Sequence, residues 1–210
     1  MAEHVLDHPL AAHRLAELRA TTTGHERFRH LLDELAGMLA YEATRTLATE
    51  SVSVETPLGA ADGRRLTTGT TLVVPILRAG LGMLDATIRM VPTATVALLG
   101  MRRDHDTLLP ALYADTVPAR LDGCTVFLLD PMLATGGSVA LGCQHVLDRG
   151  AAAVHVLSIV AAPDGLAHVR ETTPGVEVWV AAVDPKLDDR GYIHPGLGDA
   201  GDRLYGLLDS

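Results

Sequence analysis

From residue 71 onward, short apolar runs alternate with segments compatible with helices. The apolar runs are Leu72–Val74, Val96–Leu99, Val126–Leu129, Val154–Ala161 and Val176–Val183. Helices are predicted between them at Gly82–Met90, Gly137–Arg149 and Asp164–Glu171. Uninterrupted apolar strands are typical of a sheet covered on both faces, and repeated strand–helix alternation favours parallel pairing. The pattern predicts an α/β fold, a single domain with a mainly parallel central sheet flanked by helices, with ligands at the carboxyl ends of its strands.

Two helices are predicted before this alternation begins. Leu10–Leu18 forms a short helix that follows a His-Pro pair. A longer helix begins after Thr23, because Thr23 and Glu26 have the spacing of a capping box and apolar residues recur at helical intervals from Phe28 to Leu47. The apolar face of this second helix must pack against another element.

A hairpin is predicted before the strand–helix alternation, and two segments within the alternation depart from it. Ser51–Thr56 alternates like an exposed strand, and the turn residues of Gly59–Gly69 complete a hairpin with it. Met101–Leu121 is polar and contains two prolines, and Asp184–Gly201 is rich in glycine and aspartate. Long irregular segments inside a compact domain are often functional, so we expect these last two to take part in a site.

Composition and charge exclude several classes of protein. The chain has 210 residues, of which 48% are hydrophobic, enough for a substantial core in one compact domain. Its net charge of -9 argues against a broad basic surface for nucleic acid or anionic lipid. Any arginines that bind anions must therefore be few and confined to specific positions. No window approaches about 18 uninterrupted apolar residues, so no membrane span is expected. Cys124 and Cys143 lie in apolar surroundings and no secretory leader pattern is visible, which favours a reduced, cytoplasmic protein.

The histidines and the single tryptophan receive structural interpretations. The ten histidines lack the spacing of metal ligands. His4, His8 and His13 are expected on an exposed helix end, and Trp179 is expected to pack within a strand rather than to stack on a base.

The sharpest local motif is Asp130–Ser138, which leads from an apolar strand into a helix. The adjacent glycines Gly136 and Gly137 let backbone amides approach an anion at the helix N-terminus, where the helix dipole favours negative charge. Thr135 and Ser138 offer hydroxyl donors to phosphate, and Asp130 is placed to accept hydrogen bonds from sugar hydroxyls. The alternative is an ordinary strand–turn–helix with a serine cap. Neither a Walker lysine nor a dinucleotide-binding glycine pattern is present.

This motif resembles the loop that binds phosphoribosyl pyrophosphate (PRPP) in type I phosphoribosyltransferases, in the version carried by uracil phosphoribosyltransferases. Many members of the wider class have two adjacent acidic residues at the strand end, whereas here Leu129 precedes a single Asp130, which favours the uracil branch. The resemblance implies that the whole loop contacts PRPP: Asp130, Pro131, Met132, Leu133, Ala134, Thr135, Gly136, Gly137 and Ser138.

A second motif, Val73–Gly82, resembles the pyrophosphate loop of the same family. An arginine at such a turn can pair with a departing pyrophosphate, although a solvated helix start is the plain alternative. The resemblance implies PRPP contacts from Arg78, Ala79 and Gly80, and a strained or cis Arg78–Ala79 peptide. Arg103 matches the arginine of the family's flexible arm and is a second expected pyrophosphate ligand.

The arm also departs from the family pattern. Arg102 stands where a tyrosine is usual, Ala114 where an aromatic residue is common, and Thr116 where a lysine is common. These changes bear on closure of the arm over PRPP and on release of pyrophosphate.

A third motif, Gly191–Arg203, is similar to the segment that forms the base pocket in uracil phosphoribosyltransferases. The resemblance implies uracil contacts from a short set: Tyr192, Ile193, Gly198, Asp199 and Ala200. Asp199 is also expected near PRPP and is the candidate general base. Main-chain groups can distinguish uracil from cytosine, because exchanging a carbonyl for an amino group leaves buried partners unpaired.

The resemblance covers nearly the whole chain. It implies a phosphoribosyltransferase domain over 1–210, with a flexible β-arm at 101–121 and a uracil-binding hood at 184–203. The enzyme would make UMP and diphosphate from uracil and PRPP, with Asp130, Arg78 and Asp199 as catalytic residues. Mg²⁺ would be held mainly through PRPP oxygens and water rather than by a protein cage.

Assembly and regulation are less defined by the sequence. A homodimer or higher homo-oligomer is expected, and GTP is a candidate effector. Two alternatives remain open. One is a PRPP-binding regulator of pyrimidine genes that binds RNA, which the acidic balance disfavours, and the other is an inactive homologue.

Overall fold

The computed structural model describes residues 2–67, 69–103 and 110–206, with the side chains of residues 103 and 110 excepted. The helices are α1 Pro9–Arg19, α2 His25–Ala43, α3 Leu84–Met90, α4 Gly137–Leu147, α5 Pro163–Thr172 and α6 Ala200–Tyr205. The strands are β1 Ala2–Val5, β2 Thr49–Thr56, β3 Gly59–Leu66, β4 Thr71–Leu77, β5 Thr95–Val96, β6 Leu99–Arg103, β7 Pro110–Asp115, β8 Thr125–Leu129, β9 Met132–Leu133, β10 Ala153–Ala161, β11 Glu177–Val183, β12 Lys186–Leu187 and β13 Ile193–His194. Short 3₁₀ turns occupy Thr44–Thr46 and Ala79–Met83.

The central sheet has the strand order β1-β11-β10-β8-β4-β6-β7, with β5 paired to β4 and β9 paired to β10. Every pairing in it is parallel except that of β6 with β7. Two small antiparallel pairs, β2 with β3 and β12 with β13, lie outside it. The α/β class with a mainly parallel central sheet is therefore confirmed, as is the early hairpin.

Alternating strand residues face two hydrophobic layers. In β8, Phe127 and Leu129 belong to the cluster that contains α1, α2, α3 and α6. Val126 and Leu128 belong to the opposite cluster, which contains α4 and α5. All four side chains are fully buried, and such burial is worth about 1.5–3 kcal/mol for each large side chain. Helices on both faces explain why these strands are continuously apolar.

The chain before α1 differs from the sequence prediction. Ala2–Val5 forms β1, which pairs in parallel with β11 at the edge of the sheet. His4, expected on a helix end, lies in this strand, and its ring stacks on Trp179 with centroids 3.9 Å apart. Trp179 itself is buried in the core, as predicted.

Both predicted boundaries of α2 need correction. Gly24 is the residue that precedes its first turn, and the hydroxyl of Thr23 donates to the carbonyl of Glu17 at 2.6 Å instead of capping the helix. The helix ends at Ala43, so Leu47 follows it after a 3₁₀ turn and reaches the same core from there. The predicted strand Val96–Leu99 is likewise divided between β5 and β6. No helix in the described part of the chain is long and apolar enough to cross a membrane.

Candidate active site

Two motifs meet at the carboxyl edge of the sheet because their strands are neighbours. β4 pairs with β8 in parallel, and Pro75 lies opposite Leu129 in the register. Arg78 follows β4 directly and Asp130 follows β8 directly. The turn after β4 also packs tightly on β8, since a Cβ atom on Gly80 would lie 2.4 Å from the carbonyl oxygen of Leu129. A glycine is therefore needed for the two loops to approach each other.

The start of the Asp130–Ser138 loop is fixed by β10. The amide of Asp130 donates to the carbonyl of Leu157 at 3.1 Å, and the Ser158 hydroxyl donates to the carbonyl of Asp130. The carbonyl of Pro131 accepts from the amides of Ile159 and Val160, each at 3.1 Å. These bonds hold the Asp130 backbone at a defined position at the strand end.

The end of this loop is shaped by two glycines. Gly136 has φ +81°, and a Cβ atom there would lie 2.6 Å from the carbonyl oxygen of Gly165 at the start of α5. A Cβ atom on Gly165 would lie 2.3 Å from the carbonyl oxygen of Ala134. The resulting turn places residues 135–139 around a cavity of about 110 Å³ at the N-terminus of α4, which suits a phosphate group.

The Asp130 carboxyl, which is the only one in this loop, ionises less readily than a carboxyl in water. Burial raises its pKa from 3.8 to about 7, and a hydrogen bond of 3.4 Å from the Met132 amide opposes that shift only weakly. The side chain lines both the small cavity and a larger neighbouring one. A carboxylate at this position is short of hydrogen-bond donors until a ligand supplies them.

The loop after β4 begins with a cis peptide bond, but not at the predicted position. The cis bond is Leu77–Arg78, so the prediction of a cis or strained Arg78–Ala79 peptide is wrong by one residue. The Arg78 side chain is exposed, and among the described residues no carboxylate pairs with its guanidinium. Its carbonyl accepts a hydrogen bond of 3.2 Å from the hydroxyl of Tyr205, a contact that sequence reasoning missed.

A cavity of about 400 Å³ joins all three motifs. Its lining residues are Ala79, Asp130, Met132, Ala134, Arg190, Gly191, Tyr192, Ile193, Gly198, Asp199, Ala200 and Gly201. The cavity thus contains every residue of the expected uracil set. Pro131 is buried beneath the loop, and Leu133, Thr135, Gly136, Gly137 and Ser138 surround the smaller phosphate-sized cavity. Arg190, which sequence reasoning missed, lies at the wall with its guanidinium 5.5 Å from the centre of the Tyr192 ring.

The segment after β11 is built from tight turns. Asp188 accepts hydrogen bonds from the amides of Tyr192 and Arg190, each at 2.9 Å, and these bonds lower the pKa of its carboxyl. The His194–Pro195 peptide is cis. Asp199 precedes α6, and its Oδ1 atom accepts from the amide of Asp202 at 3.0 Å. One carboxylate oxygen of Asp199 thus has a structural partner in the first turn of that helix.

Comparison with known proteins decides the family. The family model described as "Uracil phosphoribosyltransferase" matches residues 5–207. The chain belongs to the uracil phosphoribosyltransferase family. A uracil phosphoribosyltransferase of Kineococcus radiotolerans is 54% identical over 97% of this chain and 98% of its own length. One from Streptomyces avermitilis is 50% identical over the full length of both. The predicted family and class of enzyme are confirmed.

Solved structures share the fold of this chain. The AQ2163 protein of Aquifex aeolicus superposes with a TM-score of 0.91 at 38% identity and covers 99% of this chain and all of its own. A hypoxanthine-guanine phosphoribosyltransferase of Bacillus anthracis superposes with a TM-score of 0.50 at 14% identity, covering 76% of this chain and 80% of its own. The second likeness shows only that the uracil phosphoribosyltransferase family shares its fold with a purine enzyme.

The arm of this family member is described only at its base. Residues 104–109 and the Arg103 side chain lie outside the described part, so the expected pyrophosphate contact of Arg103 stays a prediction. Thr116 accepts a hydrogen bond of 2.7 Å from the Leu98 amide. Ala114 lies opposite Gly100, where a Cβ atom would be only 2.8 Å from the Ala114 methyl group. Small residues therefore allow close pairing of β6 with β7.

The base of the arm is also tied to α4 and to the turn that follows it. Asp115, the last residue of β7, lies 2.9 Å from Nε2 of His145 in α4 and pairs at 2.6 Å with Arg149, two residues beyond the helix. Burial opposes ionisation of Asp115, but hydrogen bonds from Arg149 and the Val117 amide lower the pKa of its carboxyl overall. The returning strand β7 of the arm is therefore fixed to α4 and to the residues that follow it.

Proposed function

We propose that this chain transfers the 5-phosphoribosyl group of PRPP to uracil, which gives UMP and diphosphate. The observation that carries this proposal is the single cavity of about 400 Å³ lined by all three family motifs. Asp130 comes from the loop after β8, Ala79 from the loop after β4, and Ile193 from the segment after β11. A sugar bound at the first loop and a base bound at the last would meet within it.

The roles of the PRPP-binding residues follow from their positions. The 5-phosphate occupies the smaller cavity, where the amides of residues 135–139 and the hydroxyls of Thr135 and Ser138 can donate to it. The Asp130 carboxylate accepts hydrogen bonds from the ribose hydroxyls. Arg78, Ala79 and Gly80 bind the pyrophosphate, with Arg103 as a second cation from the arm. The exposed guanidinium of Arg78 is available for such an anion.

Uracil binds in the part of the cavity formed by Tyr192, Ile193, Gly198, Asp199 and Ala200. The segment is held by short turns, so its main-chain groups can present a fixed pattern of donors and acceptors. Cytosine replaces one carbonyl with an amino group and would leave a buried partner unpaired. Each such loss costs about 1–3 kcal/mol, which is enough for strong discrimination.

Mg²⁺ fits the donor set of the cavity as a partner of the substrate. The described residues contain no cluster of three or more histidine, cysteine or acidic side chains placed to hold a metal. Asp130 and Asp199 nevertheless contribute carboxylate oxygens to the same cavity, the donor type that Mg²⁺ prefers. Asp130 and Asp199 are the residues that would adjoin Mg²⁺ held mainly by PRPP oxygens and water, and the ion would supply neutralisation of the charge on the pyrophosphate.

Catalysis rests on alignment and on charge stabilisation. The bond between the anomeric carbon and pyrophosphate breaks as uracil N1 attacks from the opposite face, through an oxocarbenium-like transition state on the sugar. Residues 130–138, the phosphate loop, hold the ribose and its phosphate, and residues 191–203, the base-binding segment, hold uracil in line with the sugar. Arg78 stabilises the negative charge that develops on the leaving pyrophosphate. Asp199 is the candidate acceptor for the N1 proton.

The test of this function is UMP formation by the purified protein with PRPP and Mg²⁺. Separate reactions contain uracil, cytosine, adenine, hypoxanthine or orotate, each with and without GTP. We expect product from uracil alone, and light scattering on the same sample reports the homo-oligomer that we expect. PRPP binding without any product, together with RNA binding in a gel-shift assay, would instead support the regulatory alternative.

Substitution Arg78→Ala is expected to lower kcat about 10- to 100-fold, since a hydrogen bond to a charged group contributes about 1.5–3 kcal/mol. The KM for uracil should change little, because Arg78 lies on the pyrophosphate side. Steady-state kinetics with each substrate varied in turn measure both values. Arg89→Ala, which removes an arginine of α3 that pairs with Asp33, is the matched control and should leave both values unchanged. Equal kinetics in the two variants would remove Arg78 from the proposed site.

A further inference from the structure

A buried ion pair lies behind the base-binding segment. Arg19, the last residue of α1, donates from Nη1 and Nη2 to the two carboxylate oxygens of Asp184 at 2.6 and 2.7 Å. The Asp184 side chain is 7% exposed and that of Arg19 is 21% exposed. Paired donors that match both oxygens of a carboxylate give geometric specificity as well as energy.

The same two side chains hold both polar groups of one loop residue. Asp184 accepts from the amide of Gly196 at 2.9 Å, and Arg19 Nη1 donates to the carbonyl of Gly196 at 2.8 Å. Gly196 follows the cis His194–Pro195 peptide and has φ +59°. A Cβ atom there would lie only 2.1 Å from the carbonyl oxygen of Ile193, so the turn brings its own backbone into close contact.

The ion pair is anchored to the sheet, and a second arginine acts beside it. The amide of Asp184 donates to the carbonyl of Ala161 at 2.8 Å, where β11 ends beside β10. Arg203 adds a second brace, since it donates to the carbonyls of Leu197 and Ala20 at 2.8 and 2.9 Å. The corner between α1 and α2 is thereby joined to two consecutive residues of the base-binding segment.

These contacts separate the residues of the segment that bond to arginines from those that line the cavity. The carbonyls of Gly196 and Leu197 bond to arginines on the side of the α1–α2 corner, and neither residue lines the cavity. Ile193 and Gly198, on either side of them, do line it. We propose that Arg19 and Asp184 are positioning residues that set specificity for uracil by fixing which main-chain groups face the base. This inference rests on the proposed function.

The test compares Asp184→Asn and Arg19→Lys with the parent enzyme. Asp184→Asn removes the carboxylate but keeps an oxygen for the Gly196 amide, and Arg19→Lys keeps the charge but loses the paired donors. We expect the KM for uracil to rise about tenfold or more, because displacement of binding groups by about 1 Å has effects of that size. The KM for PRPP should stay within about twofold, and the ratio of uracil to cytosine turnover should fall.

Glu17→Gln is the matched control. Glu17 of α1 forms an equally paired contact with Arg27 of α2, with both hydrogen bonds at 2.7 Å, and among the described residues its side chain makes no hydrogen bond to the base-binding segment. Its kinetics should equal those of the parent. If the Asp184 and Arg19 variants kept the parent KM for uracil, or if both KM values and kcat changed together with a lowered Tm, the positioning role would be overturned. An inactive parent would instead reject the proposed function itself.

Discussion

Substitution Asp130→Asn is expected to lower kcat/KM for PRPP about 10²-fold or more. The asparagine is close in size and keeps one oxygen, but it presents no charge to the two ribose hydroxyls, and charge-assisted hydrogen bonds contribute about 1.5–3 kcal/mol each. Steady-state kinetics with PRPP varied at saturating uracil measure this loss. The KM for uracil serves as the internal reference, because the base segment is built by other residues.

The same variant should be more stable than the parent, by an amount that grows with pH. Burial raises the pKa of Asp130 from 3.8 to about 7, so the folded protein keeps a proton over a range in which the unfolded chain has lost it. Stability of the parent therefore falls as pH rises from about 4 to about 7, and is constant above that range. Between pH 5 and pH 8 the advantage of Asp130→Asn should grow by about 1–3 kcal/mol, toward the lower value because the side chain is only half-buried.

Denaturant unfolding at the two pH values measures this change. Asp62→Asn, which removes an exposed carboxylate of the β2–β3 hairpin, is the control and should give the same stability difference at both. An advantage of Asp130→Asn that did not depend on pH would falsify the assignment of the raised pKa to this carboxyl. Activity lost and stability gained in one variant would identify Asp130 as a residue kept for function.

Substitutions Gly136→Ala and Gly165→Ala are expected to weaken PRPP binding about 10²-fold or more. In each variant the new methyl group would overlap a backbone carbonyl oxygen of the other segment, at 2.6 Å for Gly136 and 2.3 Å for Gly165. Neither carbonyl can move without displacing the phosphate loop, and misplacement by about 1 Å is enough for such a loss. Titration calorimetry with PRPP and Mg²⁺ measures the affinity.

Gly175→Ala separates backbone strain from steric overlap. Gly175 has φ +99°, so alanine is strained there by about 1–3 kcal/mol, but no atom lies within 4 Å of the added methyl group. It precedes β11 and so lies at the amino ends of the strands, whereas the cavity lies at their carboxyl ends. This control should lose stability and keep its affinity for PRPP. If it lost affinity as strongly as Gly136→Ala, the explanation by loop overlap would fail.

The sheet could be predicted from the sequence because burial on both faces leaves a clear pattern. Val126–Leu129 and Val154–Ala161 are almost entirely apolar, and the structure has strands at both. β1 was missed because a four-residue segment with exposed, partly polar side chains carries no such pattern. It is a strand because β11 lies beside it. The helical periodicity that continues to Leu47 arises because that side chain reaches the core of α2 from outside the helix.

The residues that line the two cavities could be predicted where they are consecutive in the chain. Asp130–Ser138 combines strand, glycine turn and helix start in one stretch, so its chemistry can be read locally. Arg19 and Asp184 could not be recognised in the same way, because the chemistry of their pair depends on two residues far apart in the chain. Arg190 and Tyr205 likewise have no local pattern to distinguish them from other surface residues.

The ion pair between Arg19 and Asp184 can form only late in the synthesis of the chain. These residues are 165 positions apart, so the contact cannot exist until nearly all of the chain has left the ribosome. The phosphate loop and the elements that support it, which are strands β8 and β10 and the start of α5, are complete earlier, by residue 165. A nascent chain can therefore form the proposed phosphate loop before it can form the ion pair that positions the proposed base-binding segment. Specificity for the base would then be acquired after the ability to bind phosphate.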